Sequence, residues 1–227
     1  MAWEVMQLAL RIFWRRLGLL LLANVAWLCL SLLIVPWPAV TAGLFTLVKH
    51  IVAEELGADP RQASMRDFWE GMRRYWLRSS LTALLDLFCL GLLVIAMRFY
   101  GESQIEVLSW LIGPITLIGL VWTGAQLYIF PLLLHRTERS VIDIIREAFL
   151  MAMSYPLLSS SIALTSVMIS IGSIVLAGPI LLVFFSFMAL LQTITLRSVL
   201  VQRGEIATML VTIEQRIAIE RSKKVLP

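Results

Sequence analysis

Leu17-Gly-Leu-Leu-Leu-Leu-Ala-Asn-Val-Ala-Trp-Leu-Cys-Leu-Ser-Leu-Leu-Ile-Val35 lies between Arg15-Arg16 and Pro36-Trp37-Pro38, and this stretch decides the fold class. Hydrocarbon about 30 Å thick is crossed by ~20 mostly apolar helical residues, and this charge-free run meets that requirement. Working outward, runs 79–97, 114–134, 156–176 and 179–200 are of the same kind. A sixth, 38–53, is shorter and carries Lys49 and His50 near its end. Val40 and Ala42 fit a small-residue cleavage site. The first run nevertheless exceeds the about 7–15 apolar residues of a signal peptide, so an uncleaved helix is expected.

Composition agrees with that reading. Of 227 residues, 59% are hydrophobic and 15% charged, and mean hydropathy is +0.87. Soluble domains average about 45–50% apolar and about 25% charged, so the excess is too large for one buried core. Soluble enzymes, disordered regulators and nucleic-acid readers are thereby excluded. Cys29 and Cys89 sit in apolar runs and offer neither a disulfide framework nor a metal cluster.

Orientation follows from the basic residues. With the N-terminus in the cytoplasm and six crossings, Arg98 alone of the 19 Lys and Arg residues falls outside. If 38–53 failed to cross, Arg11, Arg15 and Arg16 would be stranded outside. Six crossings with both ends cytoplasmic is the expected topology, followed by a cytoplasmic tail, 205–227. In that tail Ile206, Met209, Leu210, Ile213 and Ile217 recur at helical spacing before Arg221, Lys223 and Lys224. It suits a partner, anionic lipid, or its own bundle.

Three amphipathic stretches precede the hairpins. In 65–77, Met65, Phe68, Trp69, Met72 and Trp76 oppose Arg66, Asp67, Glu70, Arg73 and Arg74. In 141–153, Val141, Ile145, Ala148, Phe149 and Ala152 oppose Asp143, Arg146 and Glu147. Each opens with Ser-x-x-Asp, Ser64/Asp67 and Ser140/Asp143, a near capping box. Residues 3–14 set Trp3, Met6, Leu10 and Phe13 against Glu4, Gln7 and Arg11. Such helices suit the membrane interface, with Phe68, Trp69, Arg73, Arg74 and Trp76 meeting lipid or a partner. Linker helices packed on the bundle are the other reading.

Residues 75–86 align with 155–166 at Tyr75/Tyr155, Leu77/Leu157, Ser79/Ser159, Ser80/Ser160, Ala83/Ala163 and Leu84/Leu164. Gly113-Pro114-Ile115 recurs as Gly178-Pro179-Ile180, and Pro38 holds the comparable place in the first hairpin. Either three units repeat, each an amphipathic helix plus a hairpin returning at Pro38, Pro114 or Pro179, or Ser- and Leu-rich helices align by chance.

Asp86 is the one ionisable group deep in the hydrocarbon, and a lone carboxylate there costs about 2.5–3.5 kcal/mol on insertion scales. It needs an interior partner. Asn24 is placed at similar depth, and Ser166 is its third-unit counterpart. These three form either a polar transport site with Asp86 titrating, or separate interhelical contacts with Asp86 as a hydrogen-bonding clamp. The hydroxyls Ser159, Ser160, Ser161, Thr165, Ser166, Ser170 and Ser173 suit close packing or, alternatively, a solute-lining face.

Enzyme signatures are weak. His50, Glu54 and Glu55, with His135 as the other imidazole, lack H-E-x-x-H zinc spacing. Paired Glu54-Glu55 resembles intramembrane prenyl-protein proteases, but Arg61 stands six residues on instead of four. Neither a phosphate-binding G-x-x-x-x-G-K-[ST] nor a G-x-S-x-G elbow occurs. No catalytic residue, metal or cofactor is expected.

The landmarks also resemble, in order, those of the YesL-like family of bacterial membrane proteins. They are Asn24-Val-Ala-Trp27 running into Pro36-Trp-Pro-Ala-Val-Thr-Ala-Gly-Leu44, then Asp67-Phe-Trp-Glu-Gly-Met-Arg-Arg-Tyr-Trp-Leu-Arg78. Tyr128-Ile-Phe-Pro-Leu-Leu133 and Ala148-Phe-Leu-Met-Ala-Met-Ser154 follow. Trp37 and Thr41 depart from the family's Thr-Ile-Gly-Pro order. The resemblance implies a multi-pass protein of the bacterial plasma membrane, of no established activity, encoded beside carbohydrate uptake systems. The expectation is thus an all-α polytopic bundle, lipid-embedded, that assists or regulates a carbohydrate ABC transporter. A small solute or proton-coupled transporter and a lipid-surface organiser are the alternatives. Homo-oligomerisation stays open.

Overall fold

The computed structural model describes residues 2–33, 35–59, 61–102, 110–175 and 181–206, and among them every regular element is α-helical. In chain order these are α1 (Ala2–Arg15), α2 (Leu17–Ser31), α3 (Trp37–Glu55), α4 (Met65–Arg74), α5 (Trp76–Gly101), α6 (Ile112–His135), α7 (Val141–Ser154), α8 (Pro156–Val175) and α9 (Leu181–Gln202). The recurrent helix start at Pro179, Glu106 in the middle connection and the tail from 207 lie outside the described residues.

Local chemistry accounts for the boundaries. The Ser64 N–H donates to the Asp67 carboxylate at 2.8 Å, and Ser140 Oγ accepts the Asp143 N–H at 3.2 Å, so both serine starts serve as caps. Pro38 sits in the first turn of α3, where a missing N–H costs nothing. α3 and α9 end on Gly57 and Gly204 at φ +71° and +72°. In each case the N–H one residue further on reaches back to the helix, Ala58 to Ala53 O at 2.8 Å and Glu205 to Leu200 O at 3.0 Å. This left-handed closure needs glycine. α6 lacks such a glycine. Instead the Arg78 guanidinium donates to the carbonyls of Arg136, Thr137 and Arg139 just beyond it.

Three times a short helix passes into a longer one after a single residue: Arg16, Tyr75 and Tyr155. The chain turns 90° between α1 and α2 and 101° between α7 and α8. The fourth and seventh residues after each break are buried in all three cases, Leu20, Ser79 and Ser159, then Ala23, Thr82 and Ile162. One helix face is therefore used the same way three times.

Packing follows a cyclic order. α3, α6 and α9 pack on one another at the centre. Each also carries the short helix that follows it around the ring, α3 on α4, α6 on α7, α9 on α1. Each outer long helix wedges between two central ones: α2 between α9 and α3, α5 between α3 and α6, α8 between α6 and α9. Stacked rings mark these contacts, Phe45 on Phe130 at 5.5 Å and Trp27 on Phe185 at 3.9 Å.

Among the described residues three helices, α5, α6 and α9, are by length and composition apolar enough to cross a membrane alone, and up to five spans result if each sharply bent pair counts as one. α5 exposes Leu84, Leu87, Phe88, Ile95 and Phe99, an apolar surface compatible with a lipid surrounding. α2, at 15 residues, extends about 22 Å, short of a full hydrocarbon thickness. The 17–35 run is thus one helix that stops at Ser31 and a turn, because Pro36 opens the next helix.

Candidate functional site

The short helices each present three faces. On α1, Val5, Ala9, Ile12 and Phe13 are buried, whereas Trp3, Leu10 and Trp14 form a separate exposed apolar row. The single apolar face expected of Trp3, Met6, Leu10 and Phe13 is therefore divided, because Phe13 is buried against Phe187 of α9 whereas Trp3 and Leu10 stay exposed. α4 divides likewise. Phe68 is fully buried, so it cannot meet lipid or a partner as expected, and Gly71 joins it against α3. Trp69, Arg73, Arg74 and Trp76 remain exposed. On α7, Glu147 leaves the polar face: it is buried, within 3.3 Å of Arg136 and 2.7 Å of Arg139. A buried carboxylate requires such pairing.

Asn24, Asp86 and Ser166, the polar residues singled out in the apolar runs, stand on three different helices. Asn24 is wholly buried, and its Oδ1 accepts the Ser186 backbone N–H at 3.0 Å, joining α2 to α9. Asp86 Oδ1 accepts from Gln126 Nε2 at 2.6 Å, joining α5 to α6. Ser166 Oγ donates to Ile162 O within its own helix. The three occupy α2, α5 and α8, which pack on the central helices and make little contact with one another. Their depths differ too. Asn24 lies eight residues past its break and Asp86 and Ser166 eleven, about 4.5 Å further along the axis. Arg16 is itself the break, whereas Arg78 lies three residues inside α5.

Each outer helix is thus fastened by a polar contact. Trp27 Nε1 donates to Thr41 Oγ1 at 3.1 Å, and the Tyr128 and Ser159 hydroxyls lie 2.9 Å apart. Sequence reading missed Gln126, although it is the one amide in the 114–134 run.

The hinge end of the bundle is rich in ion pairs. Arg15 and Arg16 clamp Glu55, and Arg16 also holds Glu54, whose other oxygen accepts the Ala63 N–H at 2.9 Å. Burial would raise the Glu55 carboxyl, but the Arg16 and Arg15 hydrogen bonds and charges outweigh it and hold it below the usual glutamate range. His50 faces Asp67 at 3.0 Å instead of Glu54. The glutamate pair is consequently a hinge clamp.

One cavity lies at this end where α3, α6 and α9 converge. It measures about 220 Å³ and is lined by Phe45, Lys49, His135, Arg197 and aliphatic neighbours such as Val52 and Leu200. One basic side chain comes from each central helix, and among the described residues no carboxylate is in the lining. A second cavity of about 230 Å³ shares Lys49 and Leu134 and contains His50, Asp67, Glu70 and Arg74. No protein-family model, curated protein or solved structure matches the chain.

Proposed function

We propose that this chain is a non-enzymatic, multi-pass protein of the bacterial plasma membrane, serving as an accessory or regulatory component of a carbohydrate ABC transporter. In this reading α1–α3, α4–α6 and α7–α9 are three repeats arranged about a pseudo-three-fold axis. Each lays its short helix in the interface and sends a hairpin across the bilayer, six crossings in all, with both termini cytoplasmic. The cyclic packing order, the repeated one-residue breaks and the shared buried positions support the repeat. The exposed rows Trp3/Leu10/Trp14, Trp69/Trp76 and Ile142/Leu150/Met153 support interfacial placement, with aromatics toward acyl chains.

The observation that carries the accessory role is the filled axis. Leu47, Val48, Ile51, Leu132, Leu133, Leu190, Leu191 and Ile194 from all three central helices have no exposed surface. A core packed to that degree favours a scaffold over a conduit. Asp86 lies off this axis, bonded to Gln126, which favours the clamp reading. The carbohydrate assignment rests on the family resemblance alone, an argument by association.

Crosslinking in native membranes followed by affinity purification tests the role. Recovery of sugar-permease subunits, with no sugar or proton flux from the chain alone in proteoliposomes, is the expected result. Flux that depends on Asp86 would replace this reading with the autonomous transporter.

A further inference from the structure

We propose that the cavity between the ends of α3, α6 and α9 binds a phosphate-type anion, held by Lys49, His135 and Arg197. This stands apart from the accessory reading and needs no transporter partner. Three hydrogen-bonding side chains from three helices, the Lys49 and Arg197 cations and the His135 imidazole, converge on about 220 Å³, with no carboxylate among the described residues of its lining. That space equals the liquid volume of roughly seven waters, ample for a phosphate group. Lys49 Nζ spends one of its donors on Leu134 O at 2.8 Å. Arg197 makes no hydrogen bond or ion pair among the described residues, and its Nε is buried with no acceptor.

Elsewhere at this end partly buried cations have acceptors, carboxylates for two of them and, for Arg78, the carbonyls of Arg136, Thr137 and Arg139. Arg16 has Glu54 and Glu55, and Arg136 has Glu147 and Glu205. Leaving a guanidinium half-buried and unpaired is costly unless a ligand completes it. In the adjoining cavity, which Lys49 shares with Asp67 and Glu70, Asp67 is taken by His50, and Glu205 is taken by Arg136. Guanidinium matches phosphate through paired N–H donors, and the ammonium adds a point charge. The apolar wall of Phe45, Val52, Leu196 and Leu200 leaves room for whatever carries the phosphate, an acyl glycerol or a small soluble ester.

The chain has two histidines, so ¹⁵N-imidazole labelling of the full protein gives two ring environments, His50 and His135. In phosphatidylcholine nanodiscs at fixed pH, adding inorganic phosphate is expected to shift the His135 resonances and leave His50 unmoved. A second arm replaces part of the phosphatidylcholine with phosphatidic acid and omits free phosphate. A shift in this arm alone identifies a lipid headgroup as the source; a shift with inorganic phosphate identifies a soluble one. Arg197→Gln is expected to weaken the response about ten- to hundredfold, as for loss of a charge-assisted bond. Lys49→Met serves as second variant should Arg197→Gln not fold, and Arg98→Gln, exposed at the far end of α5, as the unaffected control. His135 unmoved in both wild-type arms, movement of His50 only, or full affinity in the folded cavity variants would each overturn the proposal.

Discussion

Substituting Gly71 with alanine tests the close contact between α3 and α4. α4 lies against α3 so tightly that a Cβ on Gly71 would stand 2.4 Å from both Cβ and Oγ1 of Thr46. Carbon atoms sit comfortably at about 3.5–4.0 Å, so the helices must separate by about 1 Å or more. Thr46 cannot rotate away, because its Cβ is fixed by the backbone and its Oγ1 is bonded to Ala42 O at 2.7 Å. Overpacking of this kind costs about 1–3 kcal/mol, and a clash with a backbone-anchored atom belongs at the upper end. Alanine returns about 1 kcal/mol through helix propensity, leaving a net loss of about 2 kcal/mol. For a chain of this size that lowers the unfolding midpoint by about 4–8 °C. Gly18 and Gly91 have nothing within 4 Å of a built Cβ, so alanine at either is expected to leave the midpoint unchanged or higher. Thermal unfolding in one detergent, followed by tryptophan fluorescence, compares the three. A Gly71→Ala midpoint at or above wild type would refute the α3–α4 contact.

Asn24→Ala should cost about 1–3 kcal/mol in the same assay, since the Ser186 N–H loses a buried acceptor; an unchanged midpoint would count against the α2–α9 contact. A double-mutant cycle of Asp86→Ala and Gln126→Ala should yield about 0.6–1.7 kcal/mol of coupling, the range for hydrogen bonds between membrane helices, and zero coupling would deny the clamp. Because Arg16 and Arg15 lower the Glu55 carboxyl, its contribution is complete above the ordinary value of about 4.3 and fades as pH falls through the lower folded value. Glu55→Gln should therefore be less stable than wild type at neutral pH and converge on it in acid, and a constant gap down to acid pH would contradict the linkage.

The helices were legible because each depends on contiguous residues. An apolar run, a Ser-x-x-Asp start or a proline in the first turn is a local fact, and α4, α7 and α3 begin where those features stand. Faces were legible only in part. A short helix beneath a bundle meets protein, lipid and water, and hydrophobicity alone cannot separate the first two. Trp3 and Phe68 therefore look alike in sequence, although one is exposed and the other buried. Partners across the bundle were not legible at all. Asn24 meets Ser186 from 162 positions away, and Lys49 meets the end of α6 from 85 away. Nothing periodic announces such pairings, which arise from the cyclic order of the helices.

That cyclic order also explains why cations gather on the axis. Helices α3, α6 and α9 all run toward the hinge end, so three C-termini, each with roughly half a negative charge, point at one place. A basic side chain in or beside such a last turn is stabilised there; among the three, His135 of α6 alone occupies one. The field of a helix end falls off within its final turn. Lys49 escapes that limit by reaching the terminal carbonyl of a neighbouring helix, at Leu134. His135 is itself the last residue of α6. Arg197 has neither arrangement: it stands five residues before the end of α9, above the turn whose carbonyls would offset it. Lys49 and Arg197, the two charges among the described residues of the lining, are therefore unequal, and the uncompensated charge in the cavity belongs mainly to Arg197, which makes its substitution the sharpest change to the site.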